Sequence, residues 1–326
     1  MTSIKHTAIV GGGYMGGGIA QTLAVNGIDC LLADASSDLA DKSVRRLHEE
    51  TEQYESLGLF PEGASSSVAE HLRAAPRLED AVVEADFITE AVPEILALKQ
   101  AVLSAISQAA RPDAIISSNT SALSISELAC HVSHAERFLG VHWMNPAFFV
   151  PGVEVIPTAD TAPEVVTTVT ELLRRAGKTP TEVADSPGFV ANRLQYSLFK
   201  ECARLVEEGI ATPEQIDEVV SNSFGFRLPF FGPFAIADIA GLDVYAGGFS
   251  TMESAYGERM ATPSILAERV ANGRLGVKSR AGFYDFNEEE IAAIRAYRDR
   301  AYAGIDRLRH ALKASIAGGP GRNGDG

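Results

Sequence analysis

Three glycines and an aspartate near the N-terminus have the spacing of a dinucleotide-binding site. Gly11, Gly13 and Gly16 form a G-x-G-x-x-G pattern directly after the apolar run 4–10, and Asp34 follows about 20 residues later. The first glycine permits a tight turn, the second lets the backbone approach a pyrophosphate, and the third lets a helix pack on the strand. The acid is placed to accept hydrogen bonds from ribose hydroxyls. The pattern therefore predicts binding of a dinucleotide through its phosphates and one ribose.

The residues after Asp34 indicate which dinucleotide binds. Residues 35–38 are Ala, Ser, Ser and Asp, with neither Lys nor Arg among them. A 2′-phosphate at this position would be repelled by the carboxylate and would find no neighbouring cation. The sequence therefore favours NAD over NADP as the cofactor.

The elements that position these residues predict an α/β fold, a Rossmann-type doubly wound parallel sheet followed by a smaller all-helical domain. Strands are predicted at residues 4–10, 30–33, 85–92, 114–121 and 138–143, and helices from residue 15 and over 94–110. Ligands of such sheets bind beyond the carboxyl ends of the strands. Ser121 and His142 lie at two of these ends, which makes them site candidates on topology alone.

The hydrophobic pattern changes near residue 185. Beyond it, helical periodicity continues without alternating strands, and Pro187 suits the first turn of a long helix. Further helices are predicted from Thr212, Asp243 and Pro263. We therefore predict an NAD-binding domain at 1–185, a helical substrate and dimerisation domain at 186–287, an amphipathic helix at 288–317 and a disordered tail at 318–326.

The apolar face of the predicted helix 288–317 has two interpretations. Ile291, Ile294, Ile305 and Leu308 recur at helical spacing among Arg and Glu. Such a face packs on the surface of its own protein or forms a seam with a partner subunit, and the sequence leaves both open.

Composition and charge exclude several classes of protein. The 326 residues carry a net charge of −15, which would repel a phosphate backbone and argues against a nucleic-acid partner. The three cysteines lie far apart and form no CxxC pair or Cys/His cluster, so neither a disulfide framework nor a metal site is indicated. The N-terminus lacks a signal-peptide pattern, and no run approaches the ~18 apolar residues of a membrane span. We expect a soluble cytoplasmic protein that acts on a small molecule.

An ordered series of motifs resembles the 3-hydroxyacyl-CoA dehydrogenase family. The motifs lie at 11–20 (the cofactor turn), 90–94 with Lys99, 118–121 (SNTS), 142–146 (H-x-x-N-P), 187–193 (PGF-x-x-NR), 232–234, 241–243 and 282–284. Any one of them can arise by chance, but the ordered set is specific. The resemblance implies a homodimeric NAD-dependent oxidoreductase of fatty acid metabolism that converts a 3-hydroxyacyl substrate to the 3-keto form.

The resemblance also implies the catalytic and substrate-binding roles. His142 would be the general base that takes the proton of the 3-hydroxyl, and Glu154 would hydrogen-bond the other ring nitrogen. Ser121 and Asn192 would hydrogen-bond the substrate oxygens, and Asn145 is implied as a further polar group of the site. Asn192 is predicted to lie several residues inside its helix, where asparagine is a poor helix former, so a mere capping role is disfavoured.

The implied cofactor site is larger than the glycine turn. Besides Gly11, Gly13, Gly16 and Asp34, the resemblance assigns to it Tyr14, Met15, Glu90, Lys99, Ser121 and Asn145. Glu90 and Lys99 would lie near the nicotinamide ribose. Two of these residues also have plain structural interpretations, Met15 as a packing residue of its helix and Lys99 as an exposed helix lysine.

The chain departs from the acyl-CoA members of the family in one segment. Those members carry basic residues after the second strand, whereas residues 44–98 here contain four arginines, no lysine and five glutamates between 49 and 62. A CoA moiety would gain little there. Residues 143–151 and 192–196 look more like the branch that oxidises gulonate or carnitine, while 230–234 and 276–279 keep the acyl-CoA-like pattern. A CoA thioester and a small free 3-hydroxy acid both remain candidate substrates.

The same residues argue against two other functional classes. A non-catalytic NAD-binding structural protein is disfavoured because His142 and Glu154 are both present. The 6-phosphogluconate and β-hydroxyacid dehydrogenases carry a catalytic lysine in a G-x-G-x-x-K pattern on the inter-domain helix. Asn192 and Arg193 stand in that helix here, so this class is rejected.

Overall fold

The computed structural model describes residues 4–316, which form parts of two compact units. The first unit is Met1–Lys200 and the second is Glu201–Gly326. The predicted disordered tail at 318–326 lies outside the described residues. The predicted domain boundary near residue 185 stays a prediction.

The first unit is built on one eight-stranded sheet. Its strands are β1 (His6–Val10), β2 (Asp29–Ala33), β3 (Leu72–Ala74), β4 (Phe87–Glu90), β5 (Ile115–Ser118), β6 (Phe138–Trp143), β7 (Gly152–Pro157) and β8 (Thr179–Glu182). Their spatial order is β3-β2-β1-β4-β5-β6-β7-β8, and all neighbours are parallel except β6 and β7. The strand order reverses between β1 and β4, as in a doubly wound sheet. The predicted fold class is confirmed, and β7 and β8 run against the other six strands.

Helices connect these strands and cover the sheet. They are α1 (Tyr14–Val25), α2 (Ser37–Ser56), α3 (Ala64–His71), α4 (Leu78–Val82), α5 (Leu96–Ala109), α6 (Ile125–Ala129) and α7 (Pro163–Arg175), with a 3₁₀ turn at Ala135–Arg137. The next helix, α8 (Ala191–Glu207), contains the division between the two units.

The apolar core lies on both faces of the sheet. Successive side chains of a strand point to opposite faces, and in β1 Ile9 belongs to one buried cluster while Ala8 and Val10 belong to another. The first cluster includes residues of α1, α2 and α7, and the second includes residues of α4, α5 and α6. Burial on both faces explains why the central strands are almost continuously apolar.

The long helix after the sheet begins later than the sequence predicted. Pro187 does not lie in its first turn, because Gly188 (φ 76°) and Phe189 (φ 47°) both adopt left-handed backbone conformations and α8 starts only at Ala191. This turn directs Phe189 into the core, where it is 1% exposed. Asn192 is therefore the second residue of α8 and not several residues inside it, contrary to the prediction.

The second unit is helical. It contains α9 (Pro213–Asn222), α10 (Pro233–Ala240), α11 (Leu242–Tyr256), α12 (Ser264–Ala271) and α13 (Glu288–Ile316), with 3₁₀ turns at Gly257–Met260 and Val277–Ser279. The predicted start at Thr212 is confirmed by a capping box, in which the Thr212 side chain accepts from the Gln215 N–H and the Gln215 side chain accepts from the Thr212 N–H. Its small buried core contains Ala237, Leu242 and Leu266. Among the described helices of both units, none combines the length and the apolar character needed to cross a membrane.

Candidate active site

A cavity of about 1160 Å³ lies in the first unit, at the carboxyl ends of β1, β4, β5 and β6. Drug-sized ligands occupy cavities of roughly 300–1,000 Å³, so this one has room for a dinucleotide with part of a substrate. Predicted site residues that line it are Gly11, Gly13, Tyr14, Met15, Asp34, Ser121, His142, Asn145 and Asn192. Four others, Gly16, Glu90, Lys99 and Glu154, lie buried behind this lining.

His142 and Glu154 form the central pair of the site. They are direct partners in the antiparallel register of β6 and β7, so the two side chains project from the same face of the sheet. Nδ1 of His142 lies 2.8 Å from Oε2 of Glu154, and the two residues are each 6% exposed. The antiparallel register explains why two residues twelve positions apart in the sequence lie side by side.

The second carboxylate oxygen of Glu154 is held by the start of α8. Its Oε1 accepts hydrogen bonds from the backbone N–H groups of Val190 (3.0 Å) and Ala191 (2.9 Å). A carboxylate accepts and does not donate, so Nδ1 of His142 is the donor, and in the neutral imidazole the lone pair is on Nε2. The left-handed turn at Phe189, whose ring lies 5.6 Å from the His142 ring, brings these N–H groups to Glu154.

Ser121 and Asn192 are joined in the same cavity. The Asn192 side-chain amide donates to the Ser121 carbonyl at 2.9 Å. Asn119, which the sequence reasoning missed, also lines the cavity, and its Oδ1 accepts from the Trp143 N–H at 2.9 Å. This bond ties the ends of β5 and β6 together, and the SNTS motif that contains Asn119 was the available signal.

Glu94 lines the cavity where Glu90 was predicted to do so. Oε1 of Glu94 accepts from the Thr120 hydroxyl at 2.5 Å and from the Ser121 N–H at 2.9 Å. Partial burial would raise the pKa of Glu94, but these hydrogen bonds and the nearby Lys99 ammonium together hold that pKa below its ordinary value. The motif at 90–94 contains two glutamates, and the sequence did not show which one faces the cavity.

Lys99 connects the two glutamates beneath the cavity. Its Nζ lies 2.9 Å from Oε1 of Glu90 and 3.3 Å from Oε2 of Glu94. Lys99 is 1% exposed and Glu90 is 0% exposed, so the interpretation of Lys99 as an exposed helix lysine is wrong. Oε2 of Glu90 also accepts from the Ser118 hydroxyl at 2.5 Å. The network joins α5 to the polar end of β5.

Two family models match this chain in consecutive segments. The NAD binding domain of 3-hydroxyacyl-CoA dehydrogenase matches residues 6–186, and the C-terminal domain of 3-hydroxyacyl-CoA dehydrogenase matches residues 188–286. The chain belongs to the 3-hydroxyacyl-CoA dehydrogenase family. The resemblance inferred from the ordered motifs is thereby confirmed.

Individual relatives match over nearly their whole length. The 5-formyl-3-hydroxy-2-methylpyridine 4-carboxylate 5-dehydrogenase of Mesorhizobium japonicum is 34% identical over 307 residues, covering 94% of this chain and 98% of that protein. The 3-hydroxybutyryl-CoA dehydrogenase of Clostridioides difficile is 32% identical over 282 residues, covering 86% and 99%. A solved 5-formyl-3-hydroxy-2-methylpyridine 4-carboxylic acid 5-dehydrogenase, described as an NAD⁺-dependent dismutase, is 33% identical with a TM-score of 0.71, covering 94% and 98%. This 3-hydroxyacyl-CoA dehydrogenase family member is therefore an NAD-dependent oxidoreductase.

The glycine turn of this family member fits the cofactor. Gly11 has φ 109°, and a Cβ on Gly16 would lie 1.9 Å from the Gly11 carbonyl oxygen, so both positions require glycine. A Cβ on Gly13 would meet no protein atom within 4 Å and would project into open space at the start of α1. The N-terminal N–H groups of a helix bind phosphate, and NAD needs close approach of its pyrophosphate at this point.

Asp34 is oriented by the same turn. Its Oδ2 accepts from the Gly12 N–H at 2.9 Å and its Oδ1 accepts from the Ala35 N–H at 2.7 Å. The tertiary structure also brings one cation close, since a guanidinium nitrogen of Arg46 lies 3.3 Å from the Gly12 carbonyl oxygen. Arg46 is paired with Glu50 at 2.9 Å, so the carboxylate of Asp34 remains the group that suits the ribose of NAD.

Proposed function

We propose that this enzyme oxidises the 3-hydroxyl of a 3-hydroxyacyl substrate to a ketone, with His142 as the general base. The observation that supports the proposal best is the pair His142 and Glu154, joined at 2.8 Å, in which His142 lines the same cavity as the glycine turn. The membership of both halves of the chain in the 3-hydroxyacyl-CoA dehydrogenase family supports the same reaction type.

His142 would move the proton of the reaction. Its Nε2 lone pair takes the hydroxyl proton as the carbon–oxygen bond becomes a carbonyl, and Glu154 stabilises the imidazolium that forms. Bound NAD supplies the hydride acceptor for the hydrogen on the same carbon. The Ser121 hydroxyl and the Asn192 side chain, both in the cavity lining, would hydrogen-bond the substrate oxygens and orient that hydrogen.

Cofactor binding would involve residues that line the cavity and buried residues beneath them. We infer that Gly11, Gly13, Tyr14, Met15, Asp34, Ser121 and Asn145 contact the nucleotide, because they line the cavity. Lys99 and Glu90 are buried and would act indirectly, by fixing the carboxylate of Glu94.

The test is NADH formation with 3-hydroxybutyryl-CoA, 3-hydroxybutyrate, L-gulonate and carnitine, each with wild type and His142→Gln. We expect the substitution to lower kcat by about 10²–10⁴-fold, because it removes the base, while NADH affinity stays within twofold. Loss of turnover together with NADH binding would show that His142 is structural. Full activity of the variant would refute the proposed base.

A small free 3-hydroxy acid is the second candidate substrate. The observation that favours it is the charge of α2, where Glu49 and Glu52 are exposed and the one lysine, Lys42, lies in the first half of the helix. A CoA nucleotide with several phosphates would be repelled there. The Mesorhizobium japonicum relative is named for a pyridine carboxylate, a small free acid, which supports this candidate. Turnover of a free acid alone would establish the small-acid substrate, and turnover of the thioester alone would exclude it.

We further propose a cytoplasmic homodimer that serves fatty acid metabolism. The dimer is supported by the second unit, in which Val219 and Val244 are 61% and 62% exposed although the unit buries few apolar side chains. The assignment to fatty acid metabolism depends on a thioester substrate, and a lack of turnover of 3-hydroxybutyryl-CoA would refute it.

A further inference from the structure

The connection between β6 and β7, residues 144–151, brings two residues to the cavity. Met144 and Asn145 line it directly after Trp143, the last residue of β6, while the rest of the connection leads away to β7. The connection contains no helix or strand, so its position depends on contacts made outside the sheet. Those contacts determine where Asn145 stands relative to His142.

Apolar packing holds one side of this connection. Ala147 packs so closely on α1 that a Cβ on Gly18 would lie 3.2 Å from its methyl group. The Phe148 ring contacts the rings of Tyr54 (5.6 Å) and Phe60 (5.1 Å), which belong to α2 and the segment after it. Side chains of the connection therefore face α1 and α2.

The backbone carbonyls of the same connection converge on one buried cation. Nζ of Lys178 donates to the carbonyl oxygens of Ala147 (2.5 Å), Phe148 (3.0 Å) and Val150 (3.1 Å). An ammonium has three N–H donors, so these carbonyls satisfy it completely. Lys178 is 7% exposed and comes from the short link between α7 and β8, far from this connection in sequence. Its ammonium also lies 5.7 Å from the Trp143 ring centroid.

A buried ammonium without a carboxylate partner is costly, and burial lowers the pKa of Lys178 to about 8. An apolar residue of similar length would avoid that cost, but it would leave the carbonyls of 147, 148 and 150 without donors. The lysine can hydrogen-bond all three carbonyls through one nitrogen, which no side chain with a single donor can do.

We propose that Lys178 is a positioning residue that holds the connection 144–151, and with it Asn145, in place at the cavity. Lys178 is not among the residues that line the cavity, and it acts through the backbone that follows His142 and Trp143. This inference rests on the proposed function, in which Asn145 is a polar group of the site. The quenching of Trp143 fluorescence requires no turnover, so the inference about Lys178 and the proposed function can fail separately.

The experiment compares Lys178→Met with Val169→Ala. Methionine keeps the length and loses the donors. Val169 is a fully buried residue of α7 whose truncation destabilises the same core and leaves the three hydrogen bonds of Lys178 in place. Trp143 is the only tryptophan of the chain and is 2% exposed, so its fluorescence reports on this site alone. We expect acrylamide to quench Trp143 in Lys178→Met and to leave it protected in Val169→Ala.

Kinetics then test whether the effect passes through Asn145. We expect Lys178→Met to lower kcat/KM by between about 10- and 100-fold, because a displacement near 1 Å suffices for that loss. In an Asn145→Ala background, Lys178→Met should lower kcat/KM by less than a further threefold. Unchanged quenching of Trp143, an equal kinetic loss in Val169→Ala, or full additivity with Asn145→Ala each overturns the proposal. If Lys178→Met does not fold, Lys178→Gln, which keeps two of the three donors, should still give more acrylamide quenching of Trp143 and a lower kcat/KM than Val169→Ala, and the absence of both differences overturns the proposal.

Discussion

At the residue scale, His142 depends on two segments that lie far apart in sequence. β7 supplies Glu154 opposite it, and the first N–H groups of α8 hold the other oxygen of that carboxylate. The imidazole is thus fixed in one tautomer by an acceptor that is itself fixed. Protein groups alone hold this arrangement, so little reorganisation is needed at the moment of proton transfer.

The first prediction concerns Glu154→Gln. The amide presents an NH₂ group either to the His142 Nδ1–H or to the two backbone donors, so either the hydrogen bond from His142 or both backbone hydrogen bonds are lost. We expect kcat to fall by about 10²–10⁴-fold with NADH affinity within twofold. Steady-state kinetics and fluorescence titration measure both. The control is Glu182→Gln on β8, an exposed residue that should keep wild-type kinetics. A kcat of Glu154→Gln within threefold of wild type would contradict the assigned role.

A second prediction concerns Asp34, which is expected to distinguish NAD from NADP. Asp34→Arg removes the acceptor of the ribose hydroxyls and adds a cation beside Arg46, where a 2′-phosphate would lie. We expect kcat/KM for NAD to fall and the NADP-to-NAD ratio to rise by about 10²-fold or more. Asp34→Asn keeps an acceptor for the Gly12 N–H and separates turn stability from cofactor choice. An unchanged ratio in Asp34→Arg would refute the ribose assignment.

At the scale of elements, the glycine turn and α1 form one unit that we propose binds the phosphates, and Gly13 and Gly16 are required in it for different physical reasons. Gly16 makes room for the Gly11 carbonyl, while Gly13 borders open space in the cavity. Gly13 also has φ −62°, a value that alanine adopts without strain. The two positions therefore differ in what a single added methyl group would disturb.

The third prediction follows from this difference. Gly13→Ala should fold with a Tm within a few degrees of wild type but bind NADH about tenfold or more weakly, because its methyl group occupies the space that the pyrophosphate needs. Gly16→Ala should lose the fold or several kcal/mol of stability, since its Cβ would overlap a backbone oxygen. Thermal melts and NADH titration of both variants check it. Equal behaviour of the two variants would refute separate roles.

At the scale of the whole molecule, net charge and exposed apolar surface restrict which partners the chain can bind. The net charge of −15 disfavours nucleic acid, and the local chemistry of the glycine turn must accept the phosphates of NAD in spite of it. The second unit leaves Val219, Val244 and Ile265 at least 49% exposed. On a unit with a small core, such exposed apolar side chains support the proposed dimer.

The fourth prediction is a homodimer in solution. Light scattering should give twice the mass of the chain, and the double substitution Val219→Glu and Val244→Glu should shift it toward the monomer. Leu57→Glu in the first unit is the control, because Leu57 is as exposed, at 62%, but lies on the NAD-binding unit. A monomeric wild type at micromolar concentration would refute the dimer.

The sequence by itself determined the elements whose signals are local. Strand, glycine turn, helix and Asp34 lie within about 30 residues and follow directly from spacing, so the Rossmann-type fold and NAD could be predicted. The starts of α9, α11 and α12 were likewise readable, because capping residues and helical periodicity are short-range features. His142 and Glu154 were found through a motif, not through any rule that pairs two residues twelve apart.

Tertiary structure decided what depends on register and burial. The antiparallel pairing of β6 and β7 places Glu154 on His142, and only packing shows that Glu94 faces the cavity while Glu90 and Lys99 lie beneath it. The late start of α8 depends on burial of Phe189, which overrides the preference of a proline for a first helical turn. Lys178 gave no local signal, because its three acceptors are about 30 residues away along the chain and meet it only in the folded protein.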